Sequence, residues 1–327
     1  MKNRENPNLG IAFRREHAPE KLTNYAQKAE EAGFDEIWVT EDCFYASGIT
    51  SAAVALASTN TIAVGVGIMP AVVRNPVFTA MEIATLARLF PGRFLPGIGH
   101  GVARWMRQIG EFPISQLTAL EEVTYAIREL LAGKRINLDG KQIQLDQVEL
   151  VHPPDQIPPV FLGVRGPKSL ALSGRISDGT ILAEYSAPAY VSWAIDQIDK
   201  GKEKGSERDY HLTVFVLACA GATANEAREQ LRPFVASVIA SGRKDMHFAP
   251  MGIMEQVQEL RKNENHKNLA SQIPDAWIDQ LAILGTPNDW KSSIDRYVNA
   301  GADTVVLVPL PNKGLEELDI FTNQLFL

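Results

Sequence analysis

Residues 32–37, Ala32-Gly-Phe-Asp-Glu-Ile37, recur in closely similar form near the other end of the chain as Ala300-Gly-Ala-Asp-Thr-Val305. In each copy a helical pattern ends at a glycine, and a strand-like run starts soon afterwards. Glycine is favoured there because it readily adopts the left-handed conformation that ends a helix. The two segments therefore predict equivalent corners of a repeated unit made of one helix and one strand.

Short apolar runs alternate with longer helical patterns along the whole chain. Several runs are apolar almost throughout, which is typical of strands covered on both faces. Eight such units favour a (β/α)8 TIM barrel, an α/β fold. An open doubly wound sheet is the alternative, although it usually has fewer strands and no Gly-x-Gly-x-x-Gly pattern follows the first run. The predicted strands are Leu9–Phe13, Glu36–Thr40, Ile62–Met69, Arg93–Gly99, Val160–Gly163, Thr180–Ala183, Leu212–Ala218 and Thr304–Val308.

Helical patterns occupy most of the intervals, and two segments depart from the simple alternation. Ile136–Val148, with Asp139-Gly140 at its centre, predicts a β-hairpin after the fourth helix. Residues 237–283 predict a helical insertion that covers the barrel mouth or serves a subunit interface. No linker divides the chain, so residues 1–327 are predicted to form one domain. The predicted helices are Pro19–Ala32, Pro76–Phe90, Leu117–Leu131, one after Pro188, Pro287–Ala300 and a last one containing Phe321 and Leu325.

Composition narrows the class of protein. The chain has 327 residues, of which 45% are hydrophobic and 22% are charged, as in soluble globular proteins. Its formal net charge of −7 argues against nucleic acid or an anionic membrane as the main partner. The first residues lack the apolar core of a signal peptide, and no run is long enough to cross a bilayer, so we expect a cytoplasmic protein.

An anion site is predicted at Gly163-Val-Arg-Gly-Pro-Lys168, between a strand-like and a helix-like run. Gly166 allows torsions closed to other residues, and Pro167 fits the first helical turn. Free amides at a helix start, with Arg165 and Lys168 beside them, favour a phosphate group. The alternative is an ordinary strand-to-helix turn.

Other candidates follow predicted strands, where the reactive residues of such barrels lie. Glu41 and Asp42 come after the second strand and predict either acid–base chemistry or hydrogen bonds within the loop. His100, between Gly99 and Gly101, either faces a flat ring brought close by the glycines or has a structural role. Glu184 follows the sixth strand and is a candidate proton relay.

Further side chains suit ligand binding. Arg74, Asn75 and Arg104 either hold a negatively charged substrate or cofactor tail, or pair with acids at the surface. The aromatic residues Trp38, Phe44, Tyr45 and Trp105 either line a pocket for a planar ring or, for Trp38, belong to the core. Neither a metal-ligand spacing nor a Ser-His-Asp order is present, so a bound organic cofactor is expected to supply the chemistry.

The order and spacing of these motifs resemble the bacterial luciferase-like monooxygenase superfamily, and especially its coenzyme F420-dependent branch. The resemblance implies a (β/α)8 barrel with a flavin or deazaflavin in its carboxyl-end mouth. The residues that carry it are Ala32–Trp38, Val64–Ile68 with Arg74–Pro76, Leu89–Phe94 with Gly97–Gly101, and Gly163–Lys168 with Ile176–Gly179.

The resemblance also implies roles for single residues. A cis peptide between Gly67 and Ile68 would form a bulge behind the cofactor ring. The start of the helix at Gly166-Pro167-Lys168, with Gly163, Val164 and Arg165 before it, would hold the cofactor phosphate. The ring and its tail would lie along Gly99, His100 and Gly101, and Glu41 would add a further cofactor contact.

Two positions depart from relatives. Asp42 stands where many carry a histidine that contacts the ring or the substrate, and a carboxylate is not equivalent to an imidazole. Val102 stands where a sugar-phosphate dehydrogenase subgroup has its acidic catalytic residue, which argues against that assignment.

The expected activity is hydride transfer between coenzyme F420 and a small organic substrate. Asp42, His100 and Glu184 would tune or relay protons, and no metal is expected. The alternatives are an FMN-dependent monooxygenase and a non-catalytic flavin-binding barrel. A homodimer is expected, with apolar helices at Thr50–Ser58 and Pro76–Phe90 as its face.

Overall fold

The structure, a computed structural model, describes residues 7–202, 209–262, 269–311, 313 and 316–326. No helix within these ranges combines the length and the apolar character that a bilayer span needs. The strands of this part of the chain are β1 (Asn8–Ala12), β2 (Glu36–Val39), β3 (Ala63–Pro70), β4 (Phe94–Gly99), β5 (Ile136–Asp139), β6 (Gln144–Val148), β7 (Phe161–Gly163), β8 (Gly179–Leu182), β9 (His211–Ala220), β10 (Ala282–Gly285) and β11 (Thr304–Val308).

The helices alternate with the strands. Short 3₁₀ turns at Pro19–Lys21 and Ala249–Met251 supplement them. The helices are α1 (Leu22–Ala32), α2 (Gly48–Ser58), α3 (Pro76–Leu89), α4 (Ala103–Gln108), α5 (Gln116–Leu131), α6 (Pro167–Ile176), α7 (Pro188–Asp199), α8 (Ala224–Ser241), α9 (Asp245–Phe248), α10 (Met254–Lys262), α11 (Leu269–Gln272), α12 (Asp275–Leu281), α13 (Pro287–Asn299) and α14 (Glu316–Phe326).

The main sheet confirms the predicted fold class. Among the described residues its strand order is β10-β9-β11-β1-β2-β3-β4-β7-β8, and β9 also pairs with β8. Eight parallel strands thus close into a TIM barrel with helices between them. All eight predicted strands are present, and their ends differ from the prediction by at most two residues.

The predicted hairpin is also confirmed. Strands β5 and β6 pair antiparallel, with Ile136 opposite Val148 and Asp139 opposite Gln144. The turn between them contains Gly140, whose amide donates to the carbonyl of Ile143 at 2.9 Å. The carboxylate of Glu122 on α5 accepts hydrogen bonds from three amides of this turn, which fixes the hairpin against that helix.

The segment 237–283 is helical as predicted, except at its end, where β10 was missed. Residues 263–268 of this segment lie outside the described part of the chain. Strand β10 pairs parallel with residues 217–220 of β9, starting at Leu217, the last residue of β9 that pairs with β11. The run Ala282-Ile-Leu-Gly285 directly follows α12, so its apolar character is hard to distinguish from the buried face of a continuing helix.

One compact unit comprises Met1–Ala12, Leu182–Asp196 and Leu212–Leu327. Within it β1 pairs with β11, and α14 packs on α13 through Phe321, whose ring lies edge-on to Trp290 with 4.8 Å between the ring centres. Both rings are fully buried, so the predicted last helix is present and packs firmly on α13.

The other compact unit comprises Phe13–Ile181 and Gln197–His211. Helix α1 ends at Gly33, whose φ of 93° lies in the left-handed region, as the repeated corner predicts. Trp38 is fully buried, and its ring fills the space beside Gly65 so closely that a Cβ there would lie 2.2 Å away. Trp38 is therefore a core residue of this unit.

Candidate functional site

Most predicted site residues lie in the unit formed by Phe13–Ile181 and Gln197–His211. Here β2, β3, β4 and β7 are consecutive parallel neighbours, so their carboxyl ends share one edge. The loops that follow them carry the predicted groups at residues 41–42, 75, 99–101 and 163–168. Glu184 belongs to the other unit, where it is half-buried directly after β8.

A bulge interrupts β3 at the position that the resemblance implies. The peptide between Gly67 and Ile68 is cis, and the register with β4 shifts between Val66 and Met69. The structure contains a second cis peptide, between Cys43 and Phe44, that the sequence did not suggest.

The side chain of Ile68 occupies the space beside two of the predicted glycines. A Cβ at Gly163 would lie 2.3 Å from Ile68 Cγ2, and one at Gly99 would lie 2.9 Å from Ile68 Cδ1. Packing of Ile68 therefore explains the glycine at position 163. At Gly99 a Cβ would also lie 2.7 Å from the carbonyl oxygen of Gly163, so close packing within the protein, without a flat ring, accounts for that glycine. Gly101 has a φ of +69°, which favours glycine for its backbone alone.

The helix start predicted to bind an anion is present. Helix α6 begins with Pro167 in its first turn and Gly166 as its N-cap, and no side chain caps it. The amides of a helix's first turn have no acceptor within the helix, and its N-terminus carries a partial positive charge. The side chains of Arg165 and Lys168 are exposed beside this turn. These groups suit a phosphate.

One detail of that prediction is wrong. Gly166 has φ −92° and ψ 155°, an extended conformation that other residues adopt readily. The special torsions of glycine are therefore not the reason for a glycine at this position.

His100 joins the end of β4 to the start of α6. Its Nε2 is hydrogen-bonded to the hydroxyl of Ser169 at 2.9 Å. Its Nδ1 is buried. Burial lowers the pKa of His100, a hydrogen bond with the backbone of Gln116 opposes this shift, and the positive charge of Arg165 lowers the pKa further. The imidazole is therefore neutral at neutral pH. No local pattern in the sequence indicates Ser169 as its partner.

Glu41 is engaged within the protein. Its carboxylate forms a two-pronged ion pair with Arg74, in which Arg74 Nη2 donates to Oε2 at 2.9 Å, and it also accepts from the amide of Gly48 at 2.9 Å. It thereby fixes the start of α2. Hydrogen bonding to Glu41 raises the pKa of Arg74. Of the alternatives for Arg74, the structure supports pairing with an acid.

Asp42 also pairs with an arginine. Arg15, in the loop after β1, donates from Nη1 to Asp42 Oδ2 at 2.6 Å. Asn75 caps α3, since its side-chain oxygen accepts from the amide of Val77 at 3.0 Å. Arg15 was not predicted as the partner of Asp42, because the sequence alone does not reveal which charges meet across two loops.

The aromatic candidates differ in exposure. Phe44 and Tyr45 are 68% and 51% exposed, whereas Trp38 is buried. Trp105 is half-buried on α4. No cluster of three or more His, Cys, Asp or Glu side chains suited to a metal ion occurs in the described ranges.

Comparison with known proteins places the chain in a family. The model of the luciferase-like monooxygenase family matches residues 6–304, and the chain belongs to this family. It is 28% identical over 304 residues to the 5,10-methylenetetrahydromethanopterin reductase of Methanolobus tindarius, covering 91% of this chain and 93% of that one. With the enzyme of the same name from Archaeoglobus fulgidus it shares 29% over 307 residues, covering 91% and 92%.

A solved structure is similar over nearly its full length. The coenzyme F420-dependent tetrahydromethanopterin reductase from Methanopyrus kandleri superposes with a TM-score of 0.82, covering 98% of both chains at 22% identity. At that identity the likeness supports the fold.

Proposed function

We propose that this chain is an oxidoreductase that transfers a hydride between coenzyme F420 and a small organic substrate. The observation that carries the proposal is the segment 163–169. There an uncapped helix start, two exposed cationic side chains and the His100–Ser169 hydrogen bond lie together. The name of the similar reductase structure from Methanopyrus kandleri includes the same cofactor.

The residues at this edge suit a cofactor with a phosphate-bearing tail. Arg165, Lys168 and the first amides of α6 would hold the phosphate by charge-assisted hydrogen bonds. Gly163, Val164, Gly166 and Pro167 would shape the turn that presents these groups. Val164 is buried, so it would act through packing.

The ring would lie against the bulge at Gly67–Ile68 and the backbone of Gly99 and Gly101. When bound, the deazaflavin supplies a carbon centre that gives or accepts a hydride. The protein contributes orientation and removal of water from one ring face. The neutral imidazole of His100 would hold the Ser169 hydroxyl beside the phosphate-bearing tail of the cofactor. Asp42 would accept a hydrogen bond near the deazaflavin ring. Glu41 and Asn75 would position the loops, and Glu184 remains a candidate proton relay.

The first alternative is an FMN-dependent monooxygenase, which the family description favours. The second is a barrel that binds a flavin without catalysis. Titrating the purified protein with F420 and, separately, with FMN, and following the fluorescence of each, decides between the cofactors. F420 binding at micromolar concentrations or below is expected. Binding of FMN with none of F420 would contradict the proposal.

The expected homodimer is proposed to form through α2 and α3. Large apolar side chains are exposed on these helices, including Val54, Phe78, Met81 and Leu89 at 46%, 62%, 48% and 65%. Such exposure is typical of an interaction surface. Light scattering of the wild type and of Phe78→Glu tests it, with a dimer and a monomer expected respectively. The single domain over 1–327 and the cytoplasmic location remain predictions.

A further inference from the structure

Arg15 contacts three separate segments that follow strands. Besides Asp42 it contacts Glu16, whose Oε1 accepts from Arg15 Nε at 3.1 Å. The guanidinium carbon lies 5.1 Å from the ring centre of Tyr45 and 5.7 Å from that of Trp105. Both distances are in the range of cation–π attraction. One side chain thus links the loop after β1, the loop after β2 and helix α4.

Two of these contacts are the ends of one tight turn. The amide of Tyr45 donates to the carbonyl of Asp42 at 2.8 Å, so residues 42–45 reverse the chain direction. Arg15 binds the carboxylate at the first position of this turn and the ring at its last. The guanidinium is planar and its donors are fixed, so this double contact determines which way Asp42 points.

The charges around Asp42 are balanced by nearby partners. Glu16 is bonded to Arg14 as well as to Arg15, and Glu41 is paired with Arg74. Cys43 lies between the two carboxylates. Burial raises the pKa of its thiol, and the negative charges of Asp42 and Glu41 raise it further. The thiol is thus uncharged at neutral pH and does not offset the charge of Asp42.

We propose that Arg15 is a positioning residue that holds Asp42 as an oriented carboxylate, so that Asp42 accepts a hydrogen bond or a proton and does not donate one. The sequence left open whether Asp42 donates or accepts a hydrogen bond, and the pair with Arg15 makes it an acceptor. The identity of the ligand that would hydrogen-bond to Asp42 is taken from the proposed function, and the inference rests on that function to this extent. The ion pair itself exists without that ligand and is testable without it.

The test follows the titration of Asp42 by carbon-13 NMR in full-length protein labelled at the aspartate carboxyl carbons, with Asp42→Asn to assign the signal. In the wild type the midpoint is expected below about 3.9, the ordinary aspartate value. Arg15→Gln is expected to raise it by about one pH unit or more, a tenfold gain in proton affinity. Arg14→Gln, the matched neighbouring change, is expected to leave it in place.

Arg15→Lys keeps the charge and is expected to retain most of the lowered midpoint. Arg15→Met, which also removes the charge, replaces Arg15→Gln if that variant does not fold. An ordinary midpoint in the wild type, or one unmoved by loss of the charge at residue 15, would overturn the proposal. Fluorescence titration of the same samples with F420 keeps the two ideas apart. Failure to bind F420 would remove the proposed function and leave the result on Arg15 standing.

Discussion

The two segments that supply most of the candidate site, residues 163–169 and residues 41–45, use charge in opposite ways. At 163–169 the cationic side chains of Arg165 and Lys168 are exposed beside a helix start that no side chain caps. At 41–45 both carboxylates are held by arginines from other loops, Glu41 by Arg74 and Asp42 by Arg15.

This difference suggests separate roles for the two segments: residues 163–169 bind the ligand, and the ion pairs of residues 41–45 position loops. Charges that remain exposed at a helix start attract an anionic ligand and contribute mainly to its affinity. Charges that are already paired contribute to the shape and stability of the loops. Substitutions in the first segment should therefore change ligand affinity, and breaking the Glu41–Arg74 pair of the second segment should change stability.

The largest effect is expected from reversing charge at the first segment. Arg165→Glu combined with Lys168→Glu should raise the F420 dissociation constant by about 100-fold or more, because each charge-assisted hydrogen bond contributes about 1.5–3 kcal/mol. Isothermal titration calorimetry measures this. Lys21→Glu combined with Lys291→Glu, at exposed positions in the 3₁₀ turn before α1 and on α13, is the control. Equal affinity in both double variants would show that the tail binds elsewhere.

A methyl group at Gly163 tests how the first segment is packed. Gly163→Ala should lower the free energy of unfolding by about 2–3 kcal/mol, since the new Cβ would meet only Ile68 at close range. Denaturant unfolding measures the loss. In an Ile68→Ala background the same change should cost clearly less, and an equal cost in both backgrounds would mean that Ile68 is not the obstacle.

Breaking the pair in the second segment should affect stability more than binding. Glu41 and Arg74 are only 12% and 25% exposed. Arg74→Met should cost about 1–2 kcal/mol, between the values for exposed and fully buried pairs. The F420 dissociation constant should change less than about threefold. Arg135→Met, which breaks the exposed pair with Glu149 in the hairpin, should leave stability nearly unchanged. A large loss of affinity in Arg74→Met would remove the distinction between the segments.

The smallest effect concerns His100. Its pKa is lower in the folded protein than in the unfolded chain, so the unfolded chain binds a proton first as the pH falls. Its contribution to stability is therefore complete above about pH 6.5 and declines below that value. His100→Asn should flatten the decline in unfolding free energy between pH 7.5 and 5.5. The same change at exposed His152 is the control, and identical slopes in all three proteins would contradict the assignment.

The barrel was predictable from the sequence because the features that indicate it are local patterns of a few residues. Glycines such as Gly33 end helices, and buried parallel strands are apolar throughout, so the repeated unit is visible without tertiary information. Strand β10 escaped notice because four apolar residues after a helix carry no distinguishing period.

The helix start at α6 was predictable because it depends on a single segment. The pairs Arg15–Asp42, Arg74–Glu41 and His100–Ser169 were not, since each joins residues far apart in the sequence and nothing in their local patterns specifies a partner. The bulge at Ile68 was implied by the family resemblance. The contact of Ile68 with Gly163 was not predictable, because it depends on the register of neighbouring strands.

The central claim is that a phosphate-bearing redox cofactor is anchored at the start of α6. A crystal structure of the protein with F420 tests it most directly. The account predicts the tail phosphate within hydrogen-bonding distance of the main-chain amides of Lys168 and Ser169. A coenzyme whose phosphate lies away from this helix start, or crystals that take up none, would contradict it.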